Sequence, residues 1–395
     1  MKKLMVLGAS FPQVRLIEAA RELGYRTVVC SIPGDYPGFQ AADETVYADI
    51  SDPEAVLRAA KECGADGIAT CCLDTGVRSL GYACEKLGLP GLSEAAAVCS
   101  ADKLAMKNAF MEAKVNTARF CRVTDDASLT AALDTLELPV ILKAVDLQGS
   151  KGIYICRTKQ AAHENLPKVL AATKQSYCIV EEFIEGTELG AQAFIHKGEV
   201  LFVLPHGDET YLSGTNVPIG HYVPIDASDA LIAAAEIEVK KAIHAIGLDN
   251  CAVNVDLIEK NGKIYVIELT GRAGATCLPE LVSIWYGLNY YQMIAAMAMG
   301  DDPAAIFARR EDNHVANASR MMLSEVSGTV KAITDGVTRD DSVYDLSVIV
   351  KQGDHVEKFT NAKDRLGQII VRGESRQACF ARLDEIQSQF VIEIE

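Results

Sequence analysis

Residues 251–272 read CAVNVDLIEKNGKIYVIELTGR. Two runs rich in Val, Ile and Tyr flank Asn261-Gly262, the dipeptide that best signals a two-residue hairpin, because both central residues of that turn need positive φ. The second run begins as an apolar strand and then changes character. Glu268, Thr270 and Arg272 fall at every second position, and residues two apart on a strand share a face. Asp256 lies on the first run, with the turn nearly midway between it and Glu268. The spacing therefore predicts two carboxylates facing each other across adjacent strands. Like charges so placed repel unless a cation lies between them or a proton is shared. A hard cation with oxygen ligands resolves this, and Mg²⁺ (or Mn²⁺) typically takes one or two carboxylates plus substrate phosphates. The alternative pairs Glu268 with Arg272 in a salt bridge and leaves Asp256 solvated; spacing alone does not choose.

Upstream, residues 142–153 read LKAVDLQGSKGI. Lys143 ends an apolar strand, and a loop with Gly149, Ser150, Lys151 and Gly152 leads into the next one. Glycines let backbone N–H groups approach an anion closely, and the lysines supply charge. The loop suits phosphate, although strands flank it on both sides and no Walker A pattern is present; the alternative is an ordinary hairpin loop. Next, residues 178–190 read CIVEEFIEGTELG. Glu181 follows an apolar strand and Glu188 comes seven residues on, with Gly186 between. Such a hinge exposes backbone groups that can read an adenine edge, and a nearby carboxylate can accept from ribose hydroxyls. A surface turn with acidic residues is the competing reading. His221 in PIGHYVPID and His206 in LPHGDE are expected in Pro-containing loops, where binding residues tend to sit.

Further out, the first 95 residues alternate short apolar runs with helical stripes, as in LMVLGAS, RTVVCSI and GIATCCL, which predicts β-α-β units with a parallel sheet. Gly8 stands at a strand-to-helix turn, but the dinucleotide fingerprint G-x-G-x-x-G is absent. One helix is expected from about 101 to 118 and a long amphipathic one over 228–248. Strands should continue through 177–205, with turns at Glu185-Gly186 and Lys197-Gly198. After about 305 the pattern is strand-rich again, closed by a helix near 375–388.

The chain's 395 residues allow two or three domains, and a net charge of −16 argues against tracking a nucleic-acid backbone. Twelve cysteines without a C-x-x-C pair suggest free buried thiols in a reducing cytoplasm. The start MKKLMVLGAS reads as a first strand rather than a leader, since its apolar run ends by Phe11-Pro12. No apolar stretch reaches the roughly 18 residues of a membrane span. The expected setting is cytoplasmic, with no membrane partner and with a homodimer as the assembly considered.

The lysine-glycine loop, the acidic hinge and the carboxylate hairpin, in this order, resemble the ATP-grasp superfamily. That family includes biotin carboxylase, carbamoyl phosphate synthetase, D-alanine–D-alanine ligase and several amino-acid ligases. The resemblance covers most of the chain. It implies a multidomain α/β and α+β fold: an N-terminal parallel-sheet domain over 1–100, an ATP-grasp domain over 101–305 and a strand-rich C-terminal extension over 306–395. Within the ATP-grasp domain, the lid would be about 118–180 and the core 181–305. Position by position, it implies that Lys103, Lys143 and the loop Gly149–Gly152 meet the phosphates of ATP. It implies that Glu181 and Ile184 form the adenine hinge, that Glu188 takes the ribose, and that Asp256 and Glu268 hold Mg²⁺. Arg272 would steady an acyl phosphate, and His221 would orient a carboxylate or accept a proton from an amine. The family usually reads E-x-N-x-R, whereas this chain reads E-L-T-G-R, so Thr270 stands where an asparagine metal ligand is usual. The activity implied is ATP-dependent joining of a carboxylate and an amine, both small molecules resembling amino acids, through an acyl phosphate. Carboxylation through carboxyphosphate, and nucleotide-dependent regulation without turnover, are the alternatives. No M-K-M attachment site for biotin is present. Substrate choice is expected from loops such as 205–224 and 273–290.

Overall fold

The computed structural model describes residues 1–147, 151–212 and 216–395. They form two units, one of residues 1–204, 227–273 and 291–305, the other of residues 205–226, 274–290 and 306–395.

The first unit starts with the parallel sheet that the apolar runs predict. Strands Glu44–Tyr47, Arg26–Ser31, Lys3–Leu7 and Gly67–Ala69 lie side by side in that order. Leu4, Met5, Val6 and Leu7 are all fully buried, which a strand achieves only when both its faces are covered. Helices such as Phe11–Glu22 and Pro53–Cys63 connect the strands. The helix expected from about 101 to 118 is Lys103–Glu112, and a separate helix, Glu94–Ala101, ends just before it. Asp102 is the cause. Its extended backbone breaks the first helix, and its Oδ1 accepts from the N–H groups of Leu104 (2.8 Å) and Ala105 (2.9 Å), capping the second. This puts Lys103 at the first helical position.

A four-stranded antiparallel sheet follows in the order Phe120–Val123, Cys178–Glu182, Val140–Ala144, Ile153–Cys156. Helices Asp126–Leu133 and Lys159–Ala172 cover it. Val123, Leu129, Leu142, Val169 and Val180 form the core between. The carboxylate hairpin is the strand pair Cys251–Lys260 and Lys263–Thr270, turning at Asn261 (φ 54°) and Gly262 (φ 77°). Strand Thr187–His196 pairs with the outer side of Cys251–Lys260. Strand Glu199–Leu212 comes next to it, begins in the first unit and ends in the second.

In the second unit, that strand pairs antiparallel with Asn216–Val223, followed by Ala316–Met322, Gly367–Gly373 and Val343–Val348. Helix Arg376–Gln389 packs Cys379, Leu383 and Ile386 on Ala318, Ile369 and Val371. Strands His355–Val356, Gly328–Asp335 and Phe390–Ile394 make a smaller sheet. Among the described residues, no helix is long and apolar enough to cross a membrane. The cysteines are free and mostly buried. Burial pushes the Cys84 thiol up to about 12, which leaves it inert as a nucleophile.

Candidate active site

The hairpin register places Asp256 opposite Glu268 and Asn254 opposite Thr270. The turn alone would pair Asp256 with Ile267, and a register shift between Asp256 and Leu257 makes the two carboxylates rung partners. Asp256 is exposed and accepts from the Asn254 side-chain amide at 3.3 Å. Glu268 is two-thirds buried and meets the Lys103 ammonium at 2.8 Å. Lys103 also donates to the Leu147 carbonyl at 3.1 Å. Burial alone would raise the Glu268 pKa, but the adjacent ammonium more than offsets this and holds the carboxyl below its ordinary range.

The salt bridge between Glu268 and Arg272 does not form. Arg272 Nε donates instead to Asp74 Oδ1 at 2.6 Å, and the Thr270 hydroxyl donates to the same oxygen at 3.1 Å. Asp74 stands in the loop after strand Gly67–Ala69. That is the carboxyl end of a parallel strand, where ligands of such sheets gather. The guanidinium is buried, and its Nη1 donates to the Ala273 carbonyl at 3.1 Å.

A second cluster surrounds Glu181, which is almost wholly buried on strand Cys178–Glu182. Lys143 contacts one carboxylate oxygen, and Lys107 sits 2.6 Å from the other. Lys107 is anchored by the Thr117 hydroxyl at 2.6 Å, and that hydroxyl donates to the Val266 carbonyl at 2.7 Å. Burial opposes charge on Glu181, yet the two ammonium groups win and its carboxyl is pushed down to about 2. Lys107 shows the opposite balance: burial, with Lys143 nearby, holds its pKa below the usual lysine range.

The remaining expected residues are more dispersed. Ile184 is half-buried in the stretch between strands. Glu188 is exposed opposite Ile258. Lys151 is exposed, and Gly152 takes φ 65°, a left-handed conformation that suits glycine. Gly149 and Ser150 lie outside the described residues. His221, expected in a loop, is on strand Asn216–Val223 of the second unit, and His206 is on strand Glu199–Leu212. A register shift after Glu209, which sets Thr210 opposite Pro218, accommodates the proline that made this segment look like a loop.

The Glu181 cluster gives a direct stability test. Replacing Lys107 by methionine should cost about 3 kcal/mol in urea unfolding at neutral pH, the low end for a broken buried pair because Lys143 remains. Because the folded carboxyl is depressed from 4.5 to about 2, its contribution is present above pH 4.5 and lost as pH falls towards 2. The wild-type urea midpoint should decline across that window, and Lys107→Met should flatten the decline.

Three stretches of the chain match known families. Residues 17–91 match the ATP-grasp N-terminal domain and residues 101–215 the ATP-grasp (A) domain of phosphoribosylglycinamide synthetase. Residues 320–395 match L-amino acid ligase C-terminal domain 2. The structure of phosphoribosylglycinamide synthetase from Anaerococcus prevotii is 47% identical, covers 100% of both chains and superposes with a TM-score of 0.89. The chain belongs to the ATP-grasp superfamily.

Another ATP-grasp relative, the L-amino acid ligase from Bacillus licheniformis, shares the fold at 21% identity, with 100% of this chain and 99% of that one covered and a TM-score of 0.84. Alanine–anticapsin ligase from Bacillus subtilis (strain 168) is 28% identical over 271 residues, 61% of this chain and 55% of that protein. The match thus spans about half the length of that curated relative. Of the residues paired with the expected site residues, sequence reasoning missed Lys107 and Asp74. Lys107 lies four residues after Lys103 and so on the same helix face, a signal that was available. Asp74 is 198 residues from Arg272 along the chain, and only its place after a parallel strand pointed to it.

Proposed function

We propose that this chain is an ATP-dependent carboxylate–amine ligase acting on amino-acid-like small molecules. The observation that carries the reading is the rung pairing of Asp256 with Glu268 beside Lys103, with Arg272 held apart on Asp74. Hard oxygen donors on facing strands fit Mg²⁺, and the Lys103 ammonium already occupies Glu268 as a cation would. Bound there, Mg²⁺ would supply charge neutralisation at the phosphates.

The chain's own residues do the rest. Lys103 and Lys143 exchange their carboxylate partners for phosphate oxygens of ATP. The substrate carboxylate attacks the γ-phosphorus in line and ADP leaves, giving an acyl phosphate. Arg272 follows directly on the strand that carries Glu268, suited to the charge that develops on the equatorial oxygens. An amine then attacks the carbonyl, the C–N bond forms, inorganic phosphate departs with the bonding electrons, and the nitrogen gives up one proton to a base or solvent. Water would destroy the acyl phosphate, so residues about 118–180 act as a lid that excludes it. The names of two relatives, alanine–anticapsin ligase and L-amino acid ligase, support an amino acid as the carboxylate.

The test is a screen of phosphate release from ATP with pairs of amino acids and with bicarbonate, with products read by mass spectrometry. Release that needs both an acid and an amine, with one amide formed per phosphate, is the expected result. Release driven by bicarbonate alone would replace this reading with carboxyphosphate chemistry. ATP binding without turnover on any acceptor would overturn it in favour of a regulator.

A further inference from the structure

The second unit carries a polar cluster of its own. His206 and Asp208 are two apart on one strand, and Asp208 is the register partner of His221 on the next. Alternation puts all three side chains on one face. Gly207 faces the other way, beneath the Tyr222 ring. His206 is 3% exposed and His221 5%. Both aim Nδ1 at one oxygen of Asp208, at 3.0 Å and 2.7 Å. The donor atoms of the three residues all lie within 4.8 Å of one another.

Buried carboxylates need a cation. Among the described residues, no lysine or arginine pairs with Asp208. His206 Nε2 is sealed without a hydrogen-bond partner among the described residues. A metal ion on the three converging donor atoms would supply the positive charge. Ligand bonds of about 2 Å in a tetrahedron set donor atoms about 3.3 Å apart, so a small outward shift of the observed contacts makes room for one.

We propose that His206, Asp208 and His221 bind a transition-metal ion of the Zn²⁺ or Co²⁺ class. Two imidazoles and one carboxylate match the preferences of these ions rather than of Mg²⁺. Three protein ligands leave a coordination position open, as in sites that take a water or a substrate oxygen. The proposal does not depend on the ligase reading.

The experiment uses full-length protein without a histidine tag. Elemental analysis of the purified protein is followed by Co²⁺ titration monitored by visible absorption. One equivalent should bind, with the intense visible bands of low-coordinate Co²⁺, and Zn²⁺ should displace it. His206→Gln and Asp208→Asn, each checked for native circular dichroism and thermal melting, should each weaken binding at least about 100-fold. Glu268→Gln should leave it unchanged. No uptake below millimolar Co²⁺ would overturn the proposal. So would uptake that Glu268→Gln abolishes and His206→Gln spares, since the ion would then belong to the acid hairpin of the first unit. Should both cluster variants misfold, ¹⁵N spectra of the wild-type imidazoles decide. Ring shifts that ignore added Zn²⁺ would show a hydrogen-bonded cluster without a metal.

Discussion

Glutamine in place of Glu268 is expected to lower ATP-dependent amide formation by about 10³-fold, the scale seen when a charged partner of the transferring phosphate is lost. The substitution keeps the side chain's size but removes the negative charge opposite Asp256. Two things follow. A single carboxylate remains to hold the divalent ion, and Lys103 loses its 2.8 Å partner. The freed ammonium should still attract phosphate, so nucleotide binding by calorimetry should survive while turnover collapses. Raising Mg²⁺ should not restore the rate. Stability should change little, because the Glu268 side chain is 31% exposed and partly solvated ion pairs contribute weakly. Activity within tenfold of wild type would show that the acid is dispensable and that the metal assignment is mistaken.

Methionine at Arg272 should be equally damaging to turnover, again by about 10³-fold, but for a separable reason. Arg272 is buried and holds Asp74 at 2.6 Å. Burial opposes charge on Asp74, and the guanidinium more than compensates, keeping its carboxyl below the ordinary range. Removing only the arginine strands a carboxylate, which should cost about 3 kcal/mol in urea unfolding. The double variant Arg272→Met/Asp74→Asn removes both charges and should recover most of that stability. It should not recover activity. If it did, the guanidinium would be a structural tether for Asp74 rather than a partner of the acyl phosphate.

The parts of this site that local rules govern were legible in the sequence. Asn261-Gly262 sets the hairpin turn and the register as far as Leu257 opposite Val266, and a register shift between Asp256 and Leu257, which the turn does not dictate, then brings Asp256 to Glu268. Apolar runs between helical stripes likewise gave the parallel sheet. What escaped depends on distance along the chain or on a single side chain acting against its neighbours. Helix Glu94–Ala101 was not read from the sequence, and Asp102 ends it because its carboxylate caps the following turn. Asp74 meets Arg272 only through the packing of one layer on another. Pro218 beside His221 looked like a strand breaker, and the register shift that tolerates it is a property of the pair of strands. Gly149 and Ser150, central to the expected phosphate loop, lie outside the described residues.

The ion pairs of the first unit have a consequence for the order in which ligands arrive. Lys103, Lys107, Lys143 and Arg272 are matched by Asp74, Glu181, Asp256 and Glu268, so the unliganded cluster is close to electroneutral. A phosphate chain arriving alone would strip lysines from their carboxylates and leave buried anions facing it. A divalent ion arriving alone would meet Glu268 with an ammonium already on it. Only nucleotide and metal together change partners without leaving a charge stranded. On the proposed ligase reading, the cluster would work as an exchanger of counter-ions that favours the preformed metal–nucleotide complex over either component.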